Sequence, residues 1–439
     1  MRNLTKTSLF NATKEVSWVF VGQALALIGS LVLVKVLTSY LNPETYGLLA
    51  LSLTSVGLFS QILMNSISAA VGRFLPVAKA NNQIHLFAKA SIKMLIASSF
   101  VGLFLGLIIF IILISLDHLS WAWLGLLGFI LATLTFYNFT VNTIQNAARN
   151  RKIVALHTVL ETWLKILFSV AVIYFFGATA NSALIGYIIA LCFVLISQKI
   201  FIKKILGPED NQSSNAHKDL SDKSTNWFFN IWLYAWPFAS WGFFTWAQQV
   251  SDIWSLKFFS TTAEVGLYTV AFQLGFAPIV LINGVVLLYL GPILNQKINQ
   301  IFDINNNRYV HTVTWVTVIA SMILTSIFFS ITYIYSEQIF TILVSNTFQA
   351  ASVYFPWLIL AGGFFSAGQI LSLKLMSEFK TQKMIGVKIC TALLGLALNI
   401  LGAYTFGMKG VVGSMILFSF TYFIWMVWLT WRSPQNPTS

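Results

Sequence analysis

The chain has 439 residues, of which 57% are apolar and only 9% charged, with a mean hydropathy of +0.78 and a net charge of +13. A soluble domain carries about 25% charged residues, so that class is excluded. Apolar runs of about 20 residues recur from end to end, each able to cross a hydrocarbon core of about 30 Å, whereas the alternating ten-residue segments of a membrane barrel do not appear.

The expected fold class is therefore all-α and polytopic, with about twelve transmembrane helices. They centre near residues 28, 56, 104, 132, 165, 191, 242, 277, 322, 350, 395 and 421. The N-terminus opens basic and turns apolar from about Val16 to Tyr40. That stretch is long enough to span, so it reads as a retained first helix, not a cleaved leader. Helix 2 carries Gln61, Asn65 and Ser68 on one face, with Gly72 and Arg73 beyond. Helix 4 carries Asn138, Asn142, Gln145 and Arg149 at the same helical spacing. Helix 5, in "HTVLETWLKILFSV" from 157 to 170, carries Thr158, Glu161, Thr162, Lys165 and Ser169. Cys192 and Cys390 fall within spans and read as packing residues, which leaves no disulfide framework or metal set to expect.

Between helices 6 and 7 lies the longest polar stretch, "KKILGPEDNQSSNAHKDLSDKSTN", from 203 to 226. Its Gly, Pro, Asn, Ser and Asp content reads as a linker. The expected organisation is a six-helix lobe over 1–204, a linker over 205–226 and a second six-helix lobe over 227–439. In the second half, helix 7 carries Thr245, Gln248, Asp252 and Ser255 on one face, and Pro237, Pro278 and Pro356 interrupt spans.

The halves echo one another. "ETYGLL" at 44–49 aligns with "AEVGLY" at 263–268, and "GRFLP" at 72–76 aligns with "GPILN" at 291–295 at the same offset. "YFFG" at 174–177 echoes "YTFG" at 404–407. Six is an even number, so a duplicated six-helix unit keeps its orientation, as in parallel-repeat transporters whose substrate sites lie between the repeats.

Charge distribution sets the expected orientation. With a cytoplasmic N-terminus, 22 of the 26 basic residues fall at the inner side, which the positive-inside rule reads as both termini cytoplasmic. The net charge is then a topology signal, and a nucleic-acid partner is not expected. The charges left inside spans need separate explanation, because a charge at the helix centre costs roughly 2.5–3.5 kcal/mol on insertion scales. Glu161 and Lys165 can pair on one turn, either as structure or as part of a cavity lining. Lys35 and Lys257 lie towards the outer interface, where they either snorkel or line the interior. Asp252 is either a bonded structural acid or a carboxylate that couples an ion. Arg73 and Arg149 stand at the inner ends of their stripes, as anchors or as headgroup contacts. Asn138, Asn142, Gln61 and Gln248 either bond neighbouring helices or face a wet interior.

"LTSYLNPETYGLLAL" at 37–51, "GRFLPVAKA" at 72–80 and "VGLYTVAFQLG" at 265–275 resemble the bacterial polysaccharide flippases. These are the O-antigen and capsule repeat-unit transporters of the multidrug/oligosaccharidyl-lipid/polysaccharide exporter superfamily. The likeness spans nearly the whole chain. It implies two six-helix lobes around a central cavity, working by alternating access in the bacterial inner membrane. The implied substrate is an oligosaccharide repeat unit on undecaprenyl diphosphate, with a proton or sodium ion as the coupling ion and no cofactor. Relatives often carry an acidic residue followed by a basic one early in the second half; here Asp252 is followed by Ile253. A diphosphate seeks cationic partners in a sheltered site, and Lys165, held by Glu161 while empty, fits that need.

Two other functions predict different sequences. A drug/cation antiporter of the same superfamily calls for several membrane carboxylates, and only Glu161 and Asp252 qualify. A polytopic polymerase, ligase or glycosyltransferase calls for large outer loops with His, Arg or acidic clusters, whereas the five histidines here are dispersed and no catalytic motif appears.

Overall fold

The computed structural model describes residues 6–81, 83–148, 150–206, 226–298, 304–377 and 381–432. Among them every regular element is helical. In the first half run α1 (Lys6–Tyr40), α2 (Pro43–Phe59), α3 (Asn65–Ala80), α4 (Ile84–Ser115), α5 (Leu119–Ala147), α6 (Arg151–Phe176) and α7 (Ala180–Leu206). A π-helical turn, Ser60–Met64, joins α2 to α3. The second half runs α8 (Trp227–Phe259), α9 (Thr262–Leu274), α10 (Phe276–Ile298), α11 (Ile304–Ile334), α12 (Ser336–Leu343), α13 (Phe355–Ser377) and α14 (Thr381–Arg432).

Ten segments among the described residues are long and apolar enough to cross a bilayer. The last of them, Gly386–Trp431, is two passes. Gly407 breaks the helical path with a φ of 56°, a conformation that a side chain makes costly. The two arms then run back along each other, with the Ser414 hydroxyl donating to the Leu398 carbonyl at 2.6 Å. Counting both arms and the 33-residue α8, the twelve expected passes are accounted for.

The chain forms two compact units, and of the expected linker, 205–226, residues 207–225 lie outside the described residues. The first comprises Met1–Leu33 and Leu51–Trp246, and the second Val34–Ala50 and Ala247–Ser439. Relative to the expected lobes of 1–204 and 227–439, the first half of α8 packs into the first unit. Residues 34–50 pack into the second.

Close backbone approach explains the first exchange. A Cβ at Gly242 of α8 would sit 2.1 Å from the Gln61 carbonyl oxygen, so only glycine fits there. Trp246 Nε1 donates to the Thr54 carbonyl at 2.9 Å, and Trp227 packs edge-on to Phe74 and Phe87. The core of this unit is built from Phe59, Ile67, Phe87, Phe129, Phe136 and Ile231, all nearly inaccessible. Specific hydrogen bonds hold the second exchange. The Tyr46 hydroxyl donates to Gln273 Oε1 at 2.6 Å, and the Ser345 hydroxyl donates to the Thr38 carbonyl at 2.6 Å. The core of the second unit gathers Val318, Ile370, Leu371, Leu375, Tyr422 and Met426.

Candidate functional site

Helix α6 explains how two charges come to sit in an apolar run. Thr158 and Thr162 send their hydroxyls back to the carbonyls of Val154 and Thr158, so they leave no unmet donor in hydrocarbon. Glu161 and Lys165, four residues apart, lie one turn above each other and pair at 2.5 Å through Oε1 and Nζ. The second carboxylate oxygen is also occupied, since Asn138 Nδ2 of α5 donates to Glu161 Oε2 at 2.6 Å. The Lys165 ammonium stands 5.6 Å from the ring centroid of Tyr187 on α7. One carboxylate thus accepts from two helices, and its lysine rests on a third.

Their exposure is as informative as the bonds. Lys165 and Glu161 keep 22% and 18% of their side-chain surface accessible, whereas Asn138 and Tyr187 are buried. The pair is supported from behind and open in front. An ammonium in such a place holds an anion well, because it is a compact charge with three donors and only part of its shell is filled.

One turn along α5 from Asn138, Asn142 Oδ1 accepts from Gln198 Nε2 of α7 at 2.8 Å. His157 of α6 lies 3.1 Å from Ser197 Oγ through Nε2. Gln145 of α5 is wholly buried. These residues form a second polar layer in the first unit.

The remaining sequence-predicted residues fall elsewhere. Arg73 is exposed, with its guanidinium 5.0 Å over the Tyr234 ring of the same unit. Gln61 sits in the π-helical turn, half-buried. Arg149 lies outside the described residues. Lys35, Gln248 and Asp252 belong to the second unit. Lys35 Nζ donates to the carbonyls of Thr341 at 3.1 Å and Val344 at 2.7 Å, which commits its charge to the C-terminal end of α12. Asp252 is 3% exposed; its Oδ2 accepts from the Tyr268 hydroxyl at 2.6 Å and its Oδ1 from the Ile253 amide at 2.7 Å. The Gln248 carbonyl accepts from the Ser251 hydroxyl, whose oxygen in turn accepts from Asn399 Nδ2 at 2.8 Å. Lys257 donates to the Thr262 hydroxyl at 2.6 Å.

Tyr187, Gln198 and the His157–Ser197 contact were not singled out from sequence. Ser197 and Gln198 break an apolar run just before Lys199, a signal that was available. Tyr187 sits among apolar neighbours, and nothing local marks it. Among the described residues no three His, Cys, Asp or Glu side chains gather as a metal set, and both cysteines are free.

Residues 12–298 match the family of polysaccharide biosynthesis proteins. The chain belongs to that family. None of the curated proteins matches it. Among solved structures, this family member is similar to the lipid II flippase MurJ in an inward closed conformation. That match has 14% identity and a TM-score of 0.69 over 96% of this chain and 88% of the other. It is also similar to an inward-facing multidrug resistance MATE family transporter of the MOP superfamily, at 14% identity and a TM-score of 0.64 over 95% and 96% of the two chains. A third likeness is to the Vibrio cholerae MATE transporter VcmN in the bent form, at 13% identity and a TM-score of 0.58 over 96% and 97%. At such identities the likeness is one of fold. This polysaccharide biosynthesis protein is thus a multi-pass membrane protein that shares the fold of these solved structures.

Proposed function

We propose that the chain is a flippase for an undecaprenyl-diphosphate-linked oligosaccharide repeat unit, working by alternating access in the bacterial inner membrane. Both termini face the cytoplasm in this reading, in line with the distribution of the basic residues. The observation that carries it is the Glu161–Lys165 pair, an exchangeable cation inside a transmembrane helix of a polysaccharide biosynthesis protein. The diphosphate displaces Glu161 from the Lys165 ammonium and takes charge-assisted hydrogen bonds in its place. Asn138 keeps the freed carboxylate on α5, so the site resets when the lipid leaves. Asn142, Gln61 and the inner-end Arg73 and Arg149 serve the sugar and the entry of the headgroup. Gln248 and Asp252, in the second unit, stand apart as a sugar-contact and an ion-coupling candidate. The multidrug names among the structural neighbours belong to those proteins. An antiporter for cationic drugs would want unmatched carboxylates, and here both Glu161 oxygens are taken.

The test is the sidedness of lipid-linked repeat units in cells lacking the protein. Units trapped on the cytoplasmic leaflet, released by the wild-type chain and not by Lys165→Ala, support the flippase and its cation together. Units that reach the periplasm without the protein remove the reading, and drug efflux is then the activity to measure.

A further inference from the structure

The echoed stretches "YFFG" and "YTFG" each end on a glycine turned through positive φ, Gly177 at 92° and Gly407 at 56°. Those turns, at 177 and 407, are 230 residues apart and set a register between α6 and the first arm of α14. In that register Thr158, Glu161, Lys165 and Ser169 correspond to Lys388, Thr391, Gly395 and Asn399. The polar stripe of α6 therefore recurs in the second unit, with its cation moved by two turns. Gly395, at the Lys165 position, has no room for a side chain, since a Cβ there would lie 2.9 Å from Cδ2 of Phe418.

The stripe is turned into the unit. Thr391 is 3% and Asn399 1% exposed, and Asn399 Nδ2 donates to Ser251 Oγ of α8 at 2.8 Å. The opposite face carries Ile389, Leu393 and Ile400, all exposed. Lys388 belongs to the inward stripe and is half-buried, whereas a lysine that merely snorkels from lipid has its stem on the exposed face. It lies 19 residues from Gly407, about 28 Å along the helix, which puts it at the limit of a hydrocarbon core of about 30 Å. Lipid phosphates begin at that level. The helices α10, α11, α13 and α14 carry no carboxylate, and among the described residues Lys388 Nζ makes no hydrogen bond or ion pair. A half-buried ammonium without a counter-charge costs stability, and such a cost is kept where function needs it.

We infer that Lys388 is a second anion-binding residue, and that its ligand is the diphosphate of the lipid-linked substrate at the leaflet surface. The inference rests on the flippase reading and extends it to the second unit. The ammonium offers three donors, which phosphate oxygens accept as charge-assisted hydrogen bonds. Counted from its own glycine turn, Lys165 stands 12 residues in and Lys388 stands 19. Lys388 therefore meets a headgroup still level with its leaflet, and Lys165 one that has moved towards the middle. At Lys165 the headgroup must displace Glu161, whereas at Lys388 no described carboxylate competes for the ammonium. A phospholipid of the bulk bilayer offers the same phosphate chemistry, but it lies along the exposed face of Ile389 and Leu393. The inward stripe favours a lipid that enters the protein.

The test uses the full chain in nanodiscs of phosphatidylcholine, with undecaprenyl diphosphate and phosphatidylglycerol as separate probes. Lys388→Met is expected to weaken binding of undecaprenyl diphosphate at least about tenfold, the worth of one charge-assisted hydrogen bond, and Lys388→Arg to restore most of it. Without a probe, Lys388→Met unfolds at a higher Tm than the wild type, because an unpaired charge has gone. Equal binding in the wild type and Lys388→Met overturns the inference. A Tm that falls in Lys388→Met marks a structural cation and overturns it too. Phosphatidylglycerol that displaces undecaprenyl diphosphate from the wild type at equal concentration makes the ligand any lipid phosphate, and overturns the assignment to the substrate. The sidedness of lipid-linked sugar separates the two readings. Sugar left on the cytoplasmic leaflet by a wild-type chain that binds through Lys388 removes the flippase and leaves the anion site. Normal flipping with binding that does not depend on Lys388 does the reverse.

Discussion

Lys165 and Lys35 are both lysines in strongly apolar helices, and they are satisfied in opposite ways. Lys165 pairs with a carboxylate and rests on an aromatic face, with part of its surface still open. Lys35 gives its hydrogens to two backbone carbonyls at the end of α12. A carboxylate can be exchanged for another anion at little net change in charge. A pair of carbonyls cannot be exchanged without leaving the helix end unmet. On the proposed reading, Lys165, whose partner is a removable anion, meets the incoming headgroup, and Lys35, whose partners are backbone carbonyls, is a structural clamp. Asp252 lies between the two cases, because its oxygens accept from one side chain, Tyr268, and one backbone group, the Ile253 amide.

The sharpest way to break this comparison is to remove each lysine in turn. Lys165→Ala is expected to lower transport of lipid-linked sugar at least a hundredfold in a sidedness assay, while the detergent-solubilised protein stays folded with a Tm no lower than that of Asn138→Ala. Lys165→Arg retains the cation and should recover part of the rate. Lys35→Met is expected to do the reverse. It loses charge-assisted bonds of roughly 1.5–3 kcal/mol each, so the Tm falls by several degrees while transport stays within about threefold of wild type. Equal transport losses in the two variants would erase the distinction between site and clamp.

Smaller effects sharpen the picture of how Lys165 is held. Asn138→Ala removes one of the two donors to Glu161 and is expected to lower transport about tenfold, with a stability loss near 2 kcal/mol by thermal unfolding. Asn138→Gln should not rescue it if the register of α5 on α6 matters. Tyr187→Leu removes only the ring face, a contribution of about 0.5–2 kcal/mol, so transport should drop no more than about fivefold. Titrating the rate against lipid-linked sugar should place that loss in apparent affinity.

The polar stripes of α5 and α6 were legible in the sequence because a helix repeats every 3.6 residues, and Glu161 and Lys165 four apart must share a face. The twelve passes and the helical class followed from run length and hydropathy in the same way. The polar stretch at 203–226 suggested a division there, and the compact units exchange residues 34–50 and the first half of α8 across that expected division. Those exchanges depend on the contact of Gly242 with the Gln61 carbonyl and on the bonds of Lys35, Tyr46 and Ser345.

Sequence by itself determined what is local: which segments cross the membrane, which faces are polar, and that a carboxylate and an ammonium lie one turn apart. Only the tertiary structure decided which helices those faces meet. The register of α5 against α6 sets Asn138 opposite Glu161 and not one turn away, and that of α7 against α6 places Tyr187 beneath Lys165. Register comes from side-chain packing summed along whole helices, which no short stretch encodes. The same holds for Lys35, whose partners are carbonyls more than 300 residues away. Backbone carbonyls are alike in every residue, so nothing in the sequence singles out which of them will end a helix beside a particular lysine.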